Sequence, residues 1–131
     1  MRDLLCGQFQ SAVEDCLIRH RSILDVLSKL QESGARVNRA ASKAVTTCGC
    51  VQIQASKQNF PPDIPLTELK AYMDTHLEGS LCDDCREILE AELGNHLFYL
   101  AALCNLLDID LYDVLLNEHR KLCALGVFNI S

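Results

Sequence analysis

The chain has 131 residues, enough for one folded domain with a hydrophobic core. Hydrophobic residues make up 49% and aromatic residues 5%, so we expect a globular protein with a mainly aliphatic core, as in helix bundles. The formal net charge of −6 argues against binding of bulk nucleic acid or of an anionic membrane surface. Charged residues interrupt every apolar stretch, so no transmembrane helix is expected.

The first residues become polar too quickly for a signal peptide, which favours a cytoplasmic location. In that compartment the eight cysteines would be reduced, so they are expected to bind metal or act as thiols rather than form disulfides. Four of them lie within helical patterns and are expected to be small buried side chains. These four are Cys6, Cys16, Cys104 and Cys123.

The N-terminal half predicts two helices. Apolar residues recur at helical spacing over about residues 3–19, which indicates the first. Ser22 is a suitable N-cap for a second helix that runs to about Thr46, with Asp25 as its capping-box partner. Several small residues in the latter part of this helix, beginning at Gly34, would let another helix approach closely.

A connection is predicted at about residues 47–66, because it contains Cys48-Gly49-Cys50 and three prolines. The alternation at residues 51–54 is compatible with a short extended segment. Thr67 to about Glu78 is predicted to form a short helix that Gly79 ends.

Two further helices are predicted after Gly79. Ser80 is the expected N-cap of a long helix to about Leu107, with Asp83 at its third position. Asp110 is the expected cap of a last helix that ends near Gly126. Residues 1–131 show no repeat or second domain boundary, so they are predicted to form one all-α domain, a four- or five-helix bundle.

Polar residues interrupt the otherwise apolar helix after Ser80. Glu92 and Asn95 are three residues apart and share a face, with His96 beside them. Carboxylates that face one another in a helix bundle commonly bind a metal, and Mg²⁺ prefers such oxygen ligands. A Glu92–His96 pair with a structural role is the alternative, and the spacing alone favours that alternative.

The run Glu-Leu-Gly-Asn-His-Leu-Phe-Tyr-Leu-Ala at residues 92–101 resembles the signature of the MazG-type nucleotide pyrophosphohydrolases, in which Glu-Leu-Gly-Asp precedes an apolar, aromatic helix. Residues 85–123 fit the last two helices of that family, with Lys121 near its usual basic position. Residues 27–37 resemble its other acidic helix more weakly. The resemblance implies the all-α MazG-like fold and magnesium-dependent hydrolysis of a nucleoside triphosphate to a monophosphate and pyrophosphate.

In that family, two helices bring five carboxylates to the magnesium ion. Here only Glu32 and Glu92 have counterparts, and the resemblance implies that they would be the magnesium ligands. Asn95 stands in place of an aspartate, and Gln31 and Ala35 stand in place of two further acids. The implied catalytic residues are therefore Glu32, Glu92 and Asn95, in a site whose affinity for magnesium is reduced.

A stripe of charged residues continues along the second helix. Glu32, Arg36, Arg39 and Lys43 are spaced four, three and four residues apart, so they share one face. Because arginine matches phosphate oxygens in bidentate fashion, the three cations, together with Lys121, are candidates for binding the phosphates of a nucleotide. The alternative is a solvated face with a Glu32–Arg36 pair.

Two close cysteine pairs flank the connection. Cys48 and Cys50 form Cys-x-Cys, and Cys82 and Cys85 form Cys-x-x-Cys near a helix N-terminus. Four thiolates can bind zinc in a tetrahedral site. A zinc ion bound by both pairs would stabilise the connection at one end of the bundle. The alternatives are a redox dithiol at Cys82 and Cys85, although no βαβ pattern surrounds it, or thiols without a ligand.

Three functions are therefore compatible with the sequence. They are a divergent nucleotide pyrophosphohydrolase, a non-catalytic zinc-stapled binding or regulatory module of the same fold, and a thiol redox protein; the first two are favoured equally. The resemblance also implies a homo-oligomer, with which the apolar helix from Leu93 to Leu107 agrees, although that helix could equally be a buried core helix. The nucleotide hypotheses require Glu32 and Glu92 to face a common cleft.

Overall fold

The computed structural model describes residues 4–125, which are mostly helical with one small two-stranded sheet. In chain order the first elements are α1 (Leu4–Cys16), α2 (Ile23–Lys43), a π-helical turn (Ala44–Cys48) and strand β1 (Val51–Ile53). They are followed by α3 (Leu66–Leu69), a 3-10 turn (Lys70–Tyr72), strand β2 (Leu77–Gly79), α4 (Asp83–Leu106) and α5 (Leu111–Leu125). None of the helices within residues 4–125 combines the length and apolar character that a membrane crossing requires.

The predicted caps of two helices are confirmed. The side chain of Ser22 accepts a hydrogen bond from the backbone N–H of Leu24 at 3.3 Å and begins α2. The carboxylate of Asp110 accepts from the N–H of Tyr112 at 2.9 Å and precedes α5. The predicted start of the first helix at residue 3 and the predicted end of the last near residue 126 lie outside the described residues.

The predicted N-cap at Ser80 is wrong. The cap of α4 is Cys82, whose Sγ accepts a hydrogen bond from the backbone N–H of Cys85 at 3.4 Å. Strand β2 extends as far as Gly79, so Ser80 directly follows the sheet and the helix can begin only after the chain has turned away from it. A thiol therefore performs the capping role that sequence rules assign to a hydroxyl.

The helix predicted from Thr67 to Glu78 is much shorter than expected. It is replaced after Tyr72 by turns, in which the side chains of Asp74 and Thr75 accept hydrogen bonds from backbone N–H groups two residues later, at 3.0 and 3.3 Å. Such local bonds compete with the helical ladder and end it. The short helical segment and the residues that follow thus serve as a connection.

Strand β2 pairs with β1 in an antiparallel sheet whose register joins Val51 to Gly79 and Ile53 to Leu77. The extended segment expected at residues 51–54 is therefore confirmed at Val51–Ile53. The sheet brings together the two ends of the longer segment that links α2 to α4, next to the C-terminal end of α2 and the N-terminal end of α4.

The hydrophobic core lies where α1 and the start of α2 pack on the C-terminal half of α4. Gln10 links α1 to α4, because its backbone carbonyl accepts from the side-chain amide of Asn105 at 3.0 Å. Its side chain links α1 to the start of α5, since it donates to the carbonyl of Ile109 at 2.7 Å and accepts from the N–H of Leu111 at 2.8 Å. The fully or nearly buried members of the core are Val13, Leu17, Val26, Ala101 and Ala102.

The expectation that four helical cysteines are buried is wrong for two of them. Cys16 and Cys123 are exposed, while Cys6 and Cys104 are half-buried. The physical reason is that α1 and α5 each use one face for packing, and these two thiols lie on the outer faces.

Helices α2 and α4 form the main helix pair and run antiparallel, as three contacts show. Ser33 is bonded to His96 at 2.8 Å, Arg36 to Glu92 at 3.3 Å, and the thiols of Cys48 and Cys82 are 3.8 Å apart, so numbers rise along one helix as they fall along the other. The close approach expected near Gly34 is also present, because a Cβ at this position would lie 3.4 Å from the His96 ring.

Candidate functional site: a cationic cleft beside a thiol quartet

A cleft of about 280 Å³ opens between α2 and α4. Its α2 wall carries three cations one helical turn apart, and its α4 wall carries an apolar and an acidic side chain. The lining residues are Arg36, Arg39, Ala40, Lys43, Ile88 and Glu92.

Both acids singled out from the sequence lie within ion-pair distance of Arg36. The Nε of Arg36 donates to both carboxylate oxygens of Glu92 at 3.3 Å, and its Nη1 lies 4.0 Å from Glu32. Glu92 lines the cleft, whereas Glu32 is half exposed outside it and forms the Glu32–Arg36 pair that was the alternative to a phosphate-binding stripe. The Glu92–His96 pair considered as an alternative does not form; Glu92 bonds to Arg36 and His96 to Ser33.

The residues present are a poor match to a magnesium site. Glu32 is also 3.4 Å from the ammonium of Lys29, so both carboxylates already have cationic partners. A metal bound by Glu32 and Glu92 would have to displace Arg36. Asn95 is exposed and is not among the residues that line the cleft.

The remaining cations of the stripe are available to a ligand. Within residues 4–125, neither Arg39 nor Lys43 has a carboxylate within ion-pair distance, and both line the cleft. Lys121 is not part of this site, because it lies on α5 and pairs with Glu118 at 3.9 Å. The cleft therefore presents two free positive charges beside a third that is neutralised by Glu92.

The hydrogen bond between Ser33 and His96 joins the two helices one turn beyond the cleft residues Arg36 and Glu92. Ser33 is 1% exposed, and its hydroxyl also donates to the carbonyl of Leu30 at 2.8 Å. Sequence reasoning missed this contact. The sequence does indicate it, because Ser33 is a small polar residue on the same helix face as Val26, Leu30 and Val37, which are apolar.

The four cysteines of the two pairs meet at the other end of the cleft. The Sγ atoms of Cys48, Cys50, Cys82 and Cys85 all lie within 4.8 Å of one another, and those of Cys48 and Cys82 are 3.8 Å apart. Zinc–sulfur bonds of about 2.3 Å in a tetrahedron place the sulfur atoms about 3.8 Å from one another. The thiols thus already have nearly the spacing that a tetrahedral metal ion requires. We refer to them as the thiol quartet.

Each pair of the quartet is held by local backbone geometry. The π-helical turn ends at Gly49, whose φ of 81° is left-handed and whose N–H donates to the carbonyl of Ala44 at 2.9 Å. Across the sheet, a Cβ at Gly79 would lie 2.5 Å from the carbonyl oxygen of Cys50. The chain can therefore approach closely enough to place Cys50 beside the α4 thiols.

The N-terminus of α4 makes the two thiols of its pair unequal. The N–H of Cys85 and then its thiol donate to the sulfur of Cys82, and these bonds lower the pKa of Cys82 to about 7. The thiol of Cys85, which is a hydrogen-bond partner of the Cys82 sulfur, has its pKa raised to about 12. Cys82 is consequently the thiol of this pair that ionises first in the metal-free protein.

No family model, no curated protein and no solved structure matches the chain.

Proposed function

We propose that this protein is a zinc-stapled helical module that binds the polyphosphate group of a nucleotide in the cleft between α2 and α4. The observation that carries the proposal is the adjacency of a preformed thiol quartet and a cleft with two unpaired cations. Binding without hydrolysis is favoured, because Arg36 already neutralises the acids that a catalytic metal would require.

Zinc is the metal that suits the quartet best. Four sulfur ligands in a near-tetrahedral arrangement are typical of structural zinc sites, which keep no open position for a substrate. The quartet joins segments that are 34 residues apart, so a metal there would stabilise a connection that contributes little to the core.

The metal content tests the first half of the proposal. Protein purified under reducing conditions without chelator should contain one zinc per chain, and Cys82→Ser should lose most of it and lower the melting temperature by about 10 °C. Cys16→Ser is the matched control, because Cys16 is exposed and outside the quartet, so its zinc content should not change. A wild-type protein without bound metal would overturn this half of the proposal.

The chemistry of the cleft supports a polyphosphate as the ligand. Arg36, Arg39 and Lys43 follow one another along α2, which suits a linear chain of phosphates better than a single carboxylate. Sites that enclose whole drug-sized molecules have volumes of roughly 300–1,000 Å³. The cleft of about 280 Å³ therefore matches the phosphate tail of a nucleotide, with the base and sugar outside it.

Calorimetric titration with tripolyphosphate and with nucleoside triphosphates tests the second half. The double variant Arg39→Gln, Lys43→Gln should lose at least tenfold in affinity, since two charge-assisted contacts are removed. Arg19→Gln, Arg120→Gln is the charge-matched control, because both arginines are exposed and neither lines the cleft. Equal affinity of the double variant and this control would exclude the cleft as the binding site.

A magnesium-dependent nucleotide pyrophosphohydrolase is the second candidate, and it is supported by the position of Glu32 and Glu92, which both lie within ion-pair distance of Arg36. In this alternative, a triphosphate would draw Arg36 to its own oxygens and free the two carboxylates for the metal. Release of pyrophosphate from any nucleoside triphosphate in the presence of Mg²⁺ or Mn²⁺ would favour it over the binding module.

We further propose that the protein is a homo-oligomer. The observation that supports this is an apolar stripe along α4, formed by Leu93, Leu97, Leu100 and Cys104 and continued by the C-cap residue Leu107. Leu93, Leu97 and Leu107 are 45%, 50% and 54% exposed, so the stripe offers apolar surface to a second copy of the chain.

A further inference from the structure

The cleft and the thiol quartet are built from the same two helices. On α2, Lys43 is the last helical residue and runs directly into the π-helical turn that ends with Cys48. On α4, Cys85 precedes the cleft residues Ile88 and Glu92 by one and two turns, and the three share one face of the helix. A change in the spacing of the thiols therefore shifts both walls of the cleft.

Three polar contacts join the walls, and one of them, the bond of Arg36 to Glu92, lies within the cleft itself. At one end the buried Ser33 hydroxyl is bonded to His96 at 2.8 Å, next to the close approach at Gly34. At the other end, the side chains that join the helices are those of the quartet. Arg39 and Lys43 lie between these two ends, nearer to the quartet, and make no ion pair with α4 within the described residues.

The strength of the contacts within the thiol quartet depends on whether a metal is bound. Neutral thiols are weak hydrogen-bond donors and acceptors, and the 3.8 Å contact of Cys48 with Cys82 is of this kind. Four metal–sulfur bonds would hold the same atoms in one fixed geometry. Fixing a binding site before the ligand arrives reduces the ordering cost of binding and raises affinity.

We propose that metal binding at the thiol quartet controls the affinity of the adjacent cleft for polyphosphate, so that the zinc-loaded protein binds the anion and the zinc-free protein binds it weakly. This inference rests on the proposed binding function and adds its regulation. The controlling variable is the supply of zinc, which determines whether the four thiols hold the metal.

The test compares the dissociation constant of tripolyphosphate for three proteins at one ionic strength, measured by calorimetry. They are the zinc-loaded wild type, the wild type after zinc removal by a chelator under reducing conditions, and Cys50→Ser purified with the same exposure to zinc. We expect the zinc-free protein to bind about tenfold or more weakly, within the range typical of coupling between sites. Cys50→Ser lacks one of the four ligands and, like Cys82→Ser, should lose most of its zinc, so it should bind tripolyphosphate about as weakly as the zinc-free protein.

Helix content measured by circular dichroism accompanies each titration. If the zinc-free protein has lost its helices, the comparison rests on Cys50→Ser, whose metal content is checked by elemental analysis. Equal dissociation constants for folded proteins with and without an intact quartet would overturn the control by metal and leave the binding function in place. Absence of tripolyphosphate binding by the zinc-loaded wild type would overturn the binding function itself, and the regulation with it.

Discussion

The guanidinium of Arg36 donates from Nε to both carboxylate oxygens of Glu92, each at 3.3 Å, across the cleft between α2 and α4. Glu92 is the more enclosed partner, with 22% of its side chain exposed against 57% for Arg36. A bond of this kind can exchange, because the arginine can swing toward solvent or toward a ligand while the carboxylate stays in place.

Replacing Glu92 by Gln separates the two candidate functions. In a binding module, Arg36 gains freedom to bind phosphate, so tripolyphosphate should bind about two- to fivefold more tightly, in keeping with a partly exposed ion pair. In a pyrophosphohydrolase the same change removes a metal ligand and should abolish pyrophosphate release. Calorimetry and a pyrophosphate assay on one preparation decide between them, and weaker binding of tripolyphosphate by the variant would contradict the first interpretation.

Ser33→Ala should destabilise the α2–α4 pair by about 1–2 kcal/mol, because it leaves the His96 ring nitrogen without its partner at a buried position. Urea unfolding followed by circular dichroism gives the free energy of unfolding. Ser28→Ala is the control on the same helix, since Ser28 is exposed and its loss should change stability by less than about 0.5 kcal/mol. Equal effects of the two changes would show that the contact with His96 is not stabilising.

Gly79→Ala should weaken both the sheet and the metal site. The new Cβ would lie 2.5 Å from the carbonyl oxygen of Cys50, and the φ of 83° is unfavourable for alanine. We expect a loss of about 2 kcal/mol or more in the free energy of unfolding and a weaker hold on zinc, measured by competition with a chromogenic chelator. Gly94→Ala should instead be neutral or stabilising, because it lies within α4 and a Cβ there meets nothing within 4 Å.

Alkylation of the zinc-free protein should label Cys82 before Cys85. The pKa of Cys82 is lowered to about 7, so its thiolate is present above that pH and is lost as the pH falls through it. The pKa of Cys85 is raised to about 12, which keeps it protonated at neutral pH. Short iodoacetamide pulses between pH 6 and 9, followed by peptide mass spectrometry, measure both rates. Faster labelling of Cys85 at pH 7.5 would contradict the assignment, and bound zinc should protect both residues.

Leu97→Asp should convert the oligomer to monomers, because Leu97 is half exposed at the centre of the apolar stripe of α4 and a charge there cannot be buried at low cost. Sedimentation velocity measures the mass in solution. Ile18→Asp is the control, since Ile18 is more exposed and lies outside the stripe, between α1 and α2. A wild-type protein that sediments as a monomer at tens of micromolar would exclude the oligomer.

The parts of the fold that depend on local chemistry could be predicted from the sequence. Ser22 and Asp110 begin helices because each offers a side-chain oxygen to a backbone N–H two residues later, and this requires no knowledge of distant contacts. The thiol pairs were also visible as pairs, since their spacing within each segment suits a metal. Their meeting across the chain is confirmed by the quartet, while the identity of the metal stays a prediction.

The parts that the sequence did not predict depend on distant contacts. Strand β2 is stabilised by pairing with Val51–Ile53, and its own residues gave only a helical pattern. Cys82 displaced Ser80 as the N-cap because that strand delays the start of α4. Two contacts of the site could not be predicted for the same reason. The pairing of Arg36 with Glu92 and the burial of Ser33 against His96 both require the antiparallel packing of two helices.

The π-helical turn between Lys43 and Gly49 makes the length of this segment critical. Its wider hydrogen bonding accommodates one residue more than an α-helix would over the same rise, and each helical residue rotates the chain by about 100°. One more residue inserted between Ala44 and Thr47 cannot be accommodated in this way and would rotate Cys48 by about 100° away from its three partners, whereas deleting one residue would return the turn to ordinary helix with Cys48 near its present orientation. The exposed side chains of the turn can vary, but Ala44 is buried and has to remain small.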